Sequence, residues 1–537
     1  MHGLMQDRPL DVSILMRRAE GLFGHKRIIT ATATGEVEAT WSEVVARSRR
    51  VSGVLDALDV PPGARVGTFG WNSQRHLELY LAVPSSGRVL HTLNHRLFAS
   101  ELAYIVGDAE DDVLFVDRSL LPIVWPLRER FTSVRHWVVL DDGGDEEIPD
   151  DARIHDYEDL LARVSAPYEP TMVAEDDAAS LCYTSGTTGR PKGVLYSHRS
   201  IVLHVMMALA ADSFAISERD VIMPIVPMFH VNGWGLPYAA AMAGAELVLP
   251  GPRMTATDLA HQLTRHRVTM AAGVPAIWRS LEPLLPDLDL SSLRMAVSGG
   301  SALPLSLARA YEEKAGVILS SSWGMTETSP LVTSARLGTT HNDVDPDARR
   351  EILCSPGRSV PLTELRLVDD EGAVVPHDGT NPGEVQVSGP TIAAGYFGSD
   401  AGGEQFTDDG WLRTGDVGTI DPDGYLRIVD RTKDLVKSGG EWISSVSLEN
   451  EIMAHPDVLE AAVVSVPNDR WGERPLACVV VADGRTVGDE ELRAHLADRV
   501  ASWWIPDEFR FLPEIPKTAT GKFSKVALRR QLATGDA

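Results

Sequence analysis

The residues best suited to chemistry gather in Tyr183–Gly193, YTSGTTGRPKG. Thr184, Ser185, Thr187 and Thr188 supply hydroxyls, Gly186 and Gly189 let backbone approach a ligand, and Lys192 adds a cation. Hydroxyls and backbone N–H groups in such a loop suit phosphate oxygens. A Walker loop needs GxxxxGK, then Ser or Thr, opening directly into a helix. Here Pro191 interrupts the pattern and Gly193 stands where the metal-binding hydroxyl belongs, so the Walker reading fails. The flanks LCYTS and VLYSH read as strands, which predicts a long glycine-rich hairpin. A bare SGTTG is as often a solvated surface loop, but the full string is far more specific.

Other segments carry reactive residue types: MFHVNGWG (Met228–Gly235), AAGVPAIW (Ala271–Trp278), AVSGGSALP (Ala296–Pro304) and SSSWGMTETSP (Ser320–Pro330). Further on come WLRTGDVGTIDPDGYLRIVDRTKD (Trp411–Asp434), VKSGGEWISSVSLE (Val436–Glu449) and PKTATGKFSK (Pro516–Lys525). Singly, each has an ordinary explanation. His230 beside Phe229 could be a core histidine, Trp234 a buried structural ring, and Lys522 a solvated surface lysine. Together and in this order they resemble the adenylate-forming superfamily of acyl- and aryl-CoA synthetases, firefly luciferase and peptide-synthetase adenylation domains. The resemblance covers almost the whole chain. It is strongest to bacterial medium- and long-chain fatty acyl-CoA synthetases, and includes LHTLNHRLFASELAYIVGDAEDDVLFVD.

That resemblance implies ATP, Mg2+ and coenzyme A. It assigns catalysis to Lys522, Thr184, Glu327 and His230, with Thr184 and Glu327 also on the metal; one carboxylate and one hydroxyl suit an ion that keeps phosphate oxygens and waters. Ser185, Gly186, Thr187, Thr188, Gly189 and Lys192 would face the ATP phosphates. Gly300, Ser301, Gly324 and Thr326 would line the nucleotide site, with Trp323, a Tyr in many relatives, against adenine. Asp416 would accept hydrogen bonds from the ribose hydroxyls and Arg431 would contact the sugar. Lys433 falls at the hinge, and Lys437, Gly440 and Trp442 would border the pantetheine channel. Val231, Trp234, Gly273 and Val274 are the acyl-pocket candidates. Amino-acid-activating relatives carry an Asp near the His230 motif; none stands here, which points to an acid without an α-amine.

The implied chemistry is self-consistent. A carboxylate is a poor electrophile because oxide would have to leave; attack on the α-phosphate of ATP exchanges that for AMP and releases pyrophosphate. Catalysis is then mainly positioning and charge stabilisation. The acyl-adenylate is next attacked by a thiol. None of Cys182, Cys354 and Cys478 is placed to serve, so coenzyme A is implied. Two steps around one carbonyl give a reason for a mobile lid: Lys522 leaves as the Gly440 hairpin enters.

These residues need elements to hold them. Short apolar runs such as ARVGTFGWN, DDVLFVD and HWVVLDD alternate with helical patterns such as WSEVVARSRRVSGVLDALDV, predicting an α/β fold in layers. From about Glu364, the pieces ELRLVDD, GEVQVSG and GYLRIVDR predict a β-rich subdomain. A small α+β domain follows, with helices at 446–454 and 489–500 and strands at 458–466 and 476–481. The expected division is 1–430, a hinge at 431–433, and a lid at 434–537. Asp and Glu outnumber Lys and Arg by 76 to 50, a formal charge of -26, which disfavours nucleic acid as a partner. The dispersed cysteines fit neither zinc nor disulfides and are expected to be buried. No signal peptide and no apolar run of ~18 residues is apparent. A cytoplasmic homodimer, with peripheral membrane contact at most, is the expectation.

Rival classes have discriminating features. GGSAL approaches the GxSxG elbow of hydrolases, but Leu303 replaces the last glycine. A luciferase-like oxygenase would consume oxygen, and a carrier-protein ligase would ignore free CoA. A CoA ligase for a short thioether, short-chain or aryl acid is the main alternative to a fatty acid.

Overall fold

A computed structural model describes residues 3–164, 168–184, 190–398, 403–438, 441–468, 470–517 and 523–534. The expected α/β class with a β-rich subdomain and a small α+β domain is what it contains. Two largely parallel sheets form the body. The seven-stranded one runs 154–156, 136–140, 111–117, 65–69, 89–92, 178–183, 193–197 in spatial order, and the nine-stranded one runs from 358–359 at one edge to 36–40 at the other.

Parallel strands buried on both faces read as continuous apolar runs, which is why DDVLFVD and HWVVLDD were legible. Helices Trp41–Ala57, Gln74–Ser85, His198–Leu209 and Leu236–Ala243 share one core with strands of both sheets. Gln74–Ser85 is buried on every side from His76 onward, and Trp41–Ala57 starts at a capping box between Thr40 and Glu43.

Four adjacent parallel strands of the larger sheet, 221–224, 270–273, 295–298 and 319–324, run in the same direction. Their carboxyl ends lead into the MFHVNGWG, AAGVPAIW, GGSAL and WGMTET segments, the edge where open α/β sheets bind ligands. An antiparallel five-stranded sheet, 374–375, 364–368, 383–388, 412–420, 426–431, follows. The final part pairs 436–438, 472–481 and 458–468, adds 508–511 parallel to 472–481, and packs helices Ser445–Met453 and Asp489–Ala497 over its own core. Cys182 and Cys478 are buried as expected, whereas Cys354 is only partly covered because it ends helix Pro346–Cys354 at the cleft. No helix among the described residues is long and apolar enough to cross a membrane.

Candidate functional site

The signature loop is indeed a hairpin. Strands Ala178–Tyr183 and Gly193–Ser197 are antiparallel with Tyr183 opposite Gly193. Thr184 N–H donates to the Lys192 carbonyl at 2.9 Å, and Lys192 N–H returns to Thr184 Oγ1 at 3.3 Å. Both arms rest on helix Ala99–Ala109: the Tyr183 hydroxyl donates to Asp108 at 2.6 Å, and the Arg190 guanidinium lies 5.3 Å from the Tyr104 ring. Ser185, Gly186, Thr187, Thr188 and Gly189 lie outside the described residues, as do Gly440 and Lys522.

Below the hairpin opens a cleft of about 1530 Å³. Small-ligand pockets typically span ~300–1,000 Å³, so this one has room for more than one substrate. Its wall brings together Thr184, Lys192, His230, Val231, Trp234, Gly300, Ser301, Trp323, Gly324, Thr326, Glu327, Asp416, Arg431 and Lys433 from segments scattered over 250 positions of sequence. Gly273, Val274 and Lys437 are not on that wall. Gly273 ends a buried strand and Val274 caps helix Pro275–Leu281, whose Pro275, Ala276 and Arg279 reach the cleft instead. Lys437 sits on strand 436–438 opposite Trp442, its N–H bonded to Glu473 at 2.9 Å.

Glu327 is buried at 6% exposure, and its Oε1 accepts a 2.7 Å hydrogen bond from the Tyr396 hydroxyl. Gly324 is required here by close approach: a Cβ would stand 1.8 Å from the Pro330 carbonyl oxygen. The Trp323 indole N–H donates to Asp416 Oδ2 at 2.9 Å, and Arg431 Nε lies 3.4 Å from Asp416 Oδ1. Trp323, Asp416 and Arg431 thus form one unit at the mouth. Burial lowers the Lys433 ammonium pKa, as does neighbouring Arg431.

The MFHVNGWG segment is conformationally costly. Val231, Asn232 and Trp234 have φ of 47°, 52° and 55°, a left-handed run that costs non-glycine residues roughly 1–3 kcal/mol each. Surrounding bonds impose it. Asn232 Oδ1 accepts from the Ser180 hydroxyl at 2.9 Å, and Asn72 receives Met228 N–H at 2.6 Å while donating to the Pro224 and Val226 carbonyls. A Cβ on Gly235 would press into the His204 ring at 2.6 Å. The outcome is a fixed Trp234, whose ring lies 2.9 Å from where a Gly299 Cβ would be.

Sequence reasoning missed Tyr396, Gln405, Asn72 and the buried set Asp430, Ser445, Glu449, Lys525. Asn72, Asp430, Ser445, Glu449 and Lys525 all stood inside quoted segments, but none had been given a role.

The family profile AMP-binding enzyme matches residues 18–397, and the profile AMP-binding enzyme C-terminal domain matches 447–522. The chain belongs to the AMP-binding enzyme family. It is 46% identical over 532 residues to a long-chain-fatty-acid–CoA ligase of Thermus thermophilus, covering 98% of this chain and 96% of that one. It is 42% identical over 532 residues to a 3-methylmercaptopropionyl-CoA ligase of Ruegeria lacuscaerulensis, covering 98% of each. Among solved structures, the anthranilate CoA ligase AuaEII in complex with anthranoyl-AMP superimposes with a TM-score of 0.86 at 28% identity, over 99% of this chain and 100% of that chain. This AMP-binding enzyme is an acid–thiol ligase using ATP, Mg2+ and coenzyme A, which removes the hydrolase reading of GGSAL.

Proposed function

We propose that the acid activated here is a fatty acid, first joined to AMP with release of pyrophosphate and then transferred to the thiol of coenzyme A. The observation that carries this is the cleft wall beyond His230, where Phe214, Val231, Trp234, Ala276, Leu303 and Leu331 offer an apolar surface to a chain. Each buried methylene contributes about 0.8 kcal/mol, so two carbons of extra depth shift preference roughly tenfold.

In this reading the carboxylate lies near His230, adenine lies against the Trp323 ring, and the ribose meets Asp416 and Arg431. The hairpin and Lys192 hold the phosphates. Glu327 and the Thr184 hydroxyl suit Mg2+, whose charge would offset that of the phosphates; a buried carboxylate fixed by one hydrogen bond matches the needs of a hard cation. Lys522 attends adenylation, and the Gly440–Trp442 hairpin and Lys437 serve the thioester step after rotation at 431–433 between the 1–430 and 434–537 parts. Gly273 and Val274 act through helix Pro275–Leu281, whose first residues line the cleft. We place the enzyme in the cytoplasm as a homodimer, with any membrane contact peripheral.

A short thioether acid is the second reading, favoured by the 42% identity to the Ruegeria ligase and by Trp234 lying across Gly299. AMP and acyl-CoA formation over acids from C2 to C18, aryl acids and 3-methylthiopropionate, with and without CoA, decides between them. Fatty acids should give the highest kcat/KM; a maximum at the thioether or aryl acid overturns the proposal.

A further inference from the structure

The segment 393–397 joins two parts of the site that are far apart in sequence. Its Ala393 N–H donates to the Glu327 carbonyl at 2.8 Å, and Phe397 N–H donates to the Gly193 carbonyl at 2.8 Å. Glycine at 193 suits this docking, because a Cβ there would lie a tight 3.0 Å from Phe397 Cβ. Between these anchors stands Tyr396. Its hydroxyl donates to Glu327 Oε1 at 2.7 Å, its ring lies 4.6 Å from Lys192 Nζ, and its other edge meets Phe406 at 5.8 Å. Lys192 Nζ is further held by Gln405 Oε1 at 2.9 Å. One side chain therefore touches both the buried carboxylate and the cation at the foot of the phosphate hairpin.

We infer that Tyr396 is a positioning residue that sets the Glu327 carboxylate for the divalent cation and couples it to Lys192 on the phosphate hairpin. This rests on the proposed metal role of Glu327. A carboxylate with one oxygen engaged by a phenol is restrained in rotation, which favours one direction for its second oxygen. The ring face also receives the Lys192 ammonium, a cation–π contact. Hydrogen-bonded partners behind metal ligands typically contribute about 10–100-fold in metal affinity.

The test uses the full-length enzyme with Mn2+ and α,β-methylene-ATP, reading Mn2+ binding by electron paramagnetic resonance and nucleotide binding without metal by calorimetry. Tyr396→Phe keeps the ring over Lys192 and loses only the hydroxyl. It should weaken Mn2+ about tenfold and leave metal-free nucleotide affinity unchanged. Tyr396→Leu should weaken both. Glu327→Gln is the control for the underlying reading: if it weakens Mn2+ while Tyr396→Phe does not, the inference about Tyr396 falls alone. If neither variant weakens Mn2+, the metal role of Glu327 falls and takes the inference with it. A lowered melting temperature with unchanged Mn2+ affinity in Tyr396→Phe would make Tyr396 scaffolding and overturn the inference.

Discussion

Replacing Lys525 with Met probes a buried cluster of charge in the final domain. Lys525 Nζ lies 2.7 Å from Glu449 Oε1, with the two side chains only 11% and 9% exposed, and it also donates to the Ser445 hydroxyl. Ser445 in turn gives its N–H and hydroxyl to Asp430 Oδ2. Burial raises the pKa of both Asp430 and Glu449, while Lys525 pulls each back down. Met fills much of the lysine volume but leaves two carboxylates facing each other without a cation. Removing one partner of a buried pair costs about 3–5 kcal/mol.

The pH sign follows from the raised carboxylate pKa values. Where both carboxyls stay protonated, the missing cation matters little; as pH rises through their folded-state values, the cost of ionising them inside grows. The loss in Lys525→Met should therefore be larger at pH 8 than at pH 5.5, and Lys525→Met/Glu449→Gln should recover most of it. Hydrogen exchange of helix Ser445–Met453 reads the local opening free energy. A loss below about 1 kcal/mol, an equal loss at both pH values, or strict additivity in the double variant would refute the reasoning.

Three further outcomes are expected, two from the structure and one from the sequence resemblance. Burial drops His76, His95 and His204 to about 4, 3 and 4; below the ordinary value near 6.5 the unfolded chain takes up protons the fold refuses, so stability should fall by about 4 kcal/mol per pH unit as pH drops from 6 towards 4, and a flat melting profile down to pH 5 would contradict it. Asp117, which accepts Trp71 N–H at 2.7 Å, is pushed up to about 8 by burial and by Asp142; its penalty grows by about 1.4 kcal/mol per unit between the ordinary carboxylate value and pH 8, so Asp117→Asn should gain stability over the parent at pH 8 more than at pH 5, and a pH-independent difference would refute this. Lys522→Ala should lose adenylation by roughly a hundredfold or more yet convert supplied acyl-adenylate to acyl-CoA, whereas equal loss in both half-reactions would end that division of labour.

Much of the fold could be read from sequence because its signals are local. Parallel strands gave unbroken apolar runs, and the β-rich part announced itself through the short pieces ELRLVDD, GEVQVSG and GYLRIVDR. The hairpin nature of YTSGTTGRPKG was legible from its two strand-like flanks. Tyr396 was not legible: AAGYFG looks like a turn, and nothing local places its hydroxyl on a carboxylate 69 positions away. Gly273 and Val274 were expected at the acyl wall, but the residues of that motif that line the cleft are Pro275, Ala276 and Arg279, since a motif fixes the segment and not which of its residues face the cleft. The left-handed run at VNGW was equally hidden, because a β-branched valine disfavours that conformation and only the bonds to Asn232, together with the tight packing at Gly235, impose it. The buried set around Lys525 depends on strand 426–431, helix Ser445–Met453 and helix Lys525–Thr534 meeting in space.

The central claim is that the carboxylate itself attacks the α-phosphate. Supplying the acid with both carboxyl oxygens as 18O, together with ATP, Mg2+ and CoA, and analysing the AMP and acyl-CoA by mass spectrometry follows that bond directly. One 18O in each AMP and one in each acyl-CoA is the predicted result. Unlabelled AMP, or label appearing in inorganic phosphate with ADP as the nucleotide product, would contradict it.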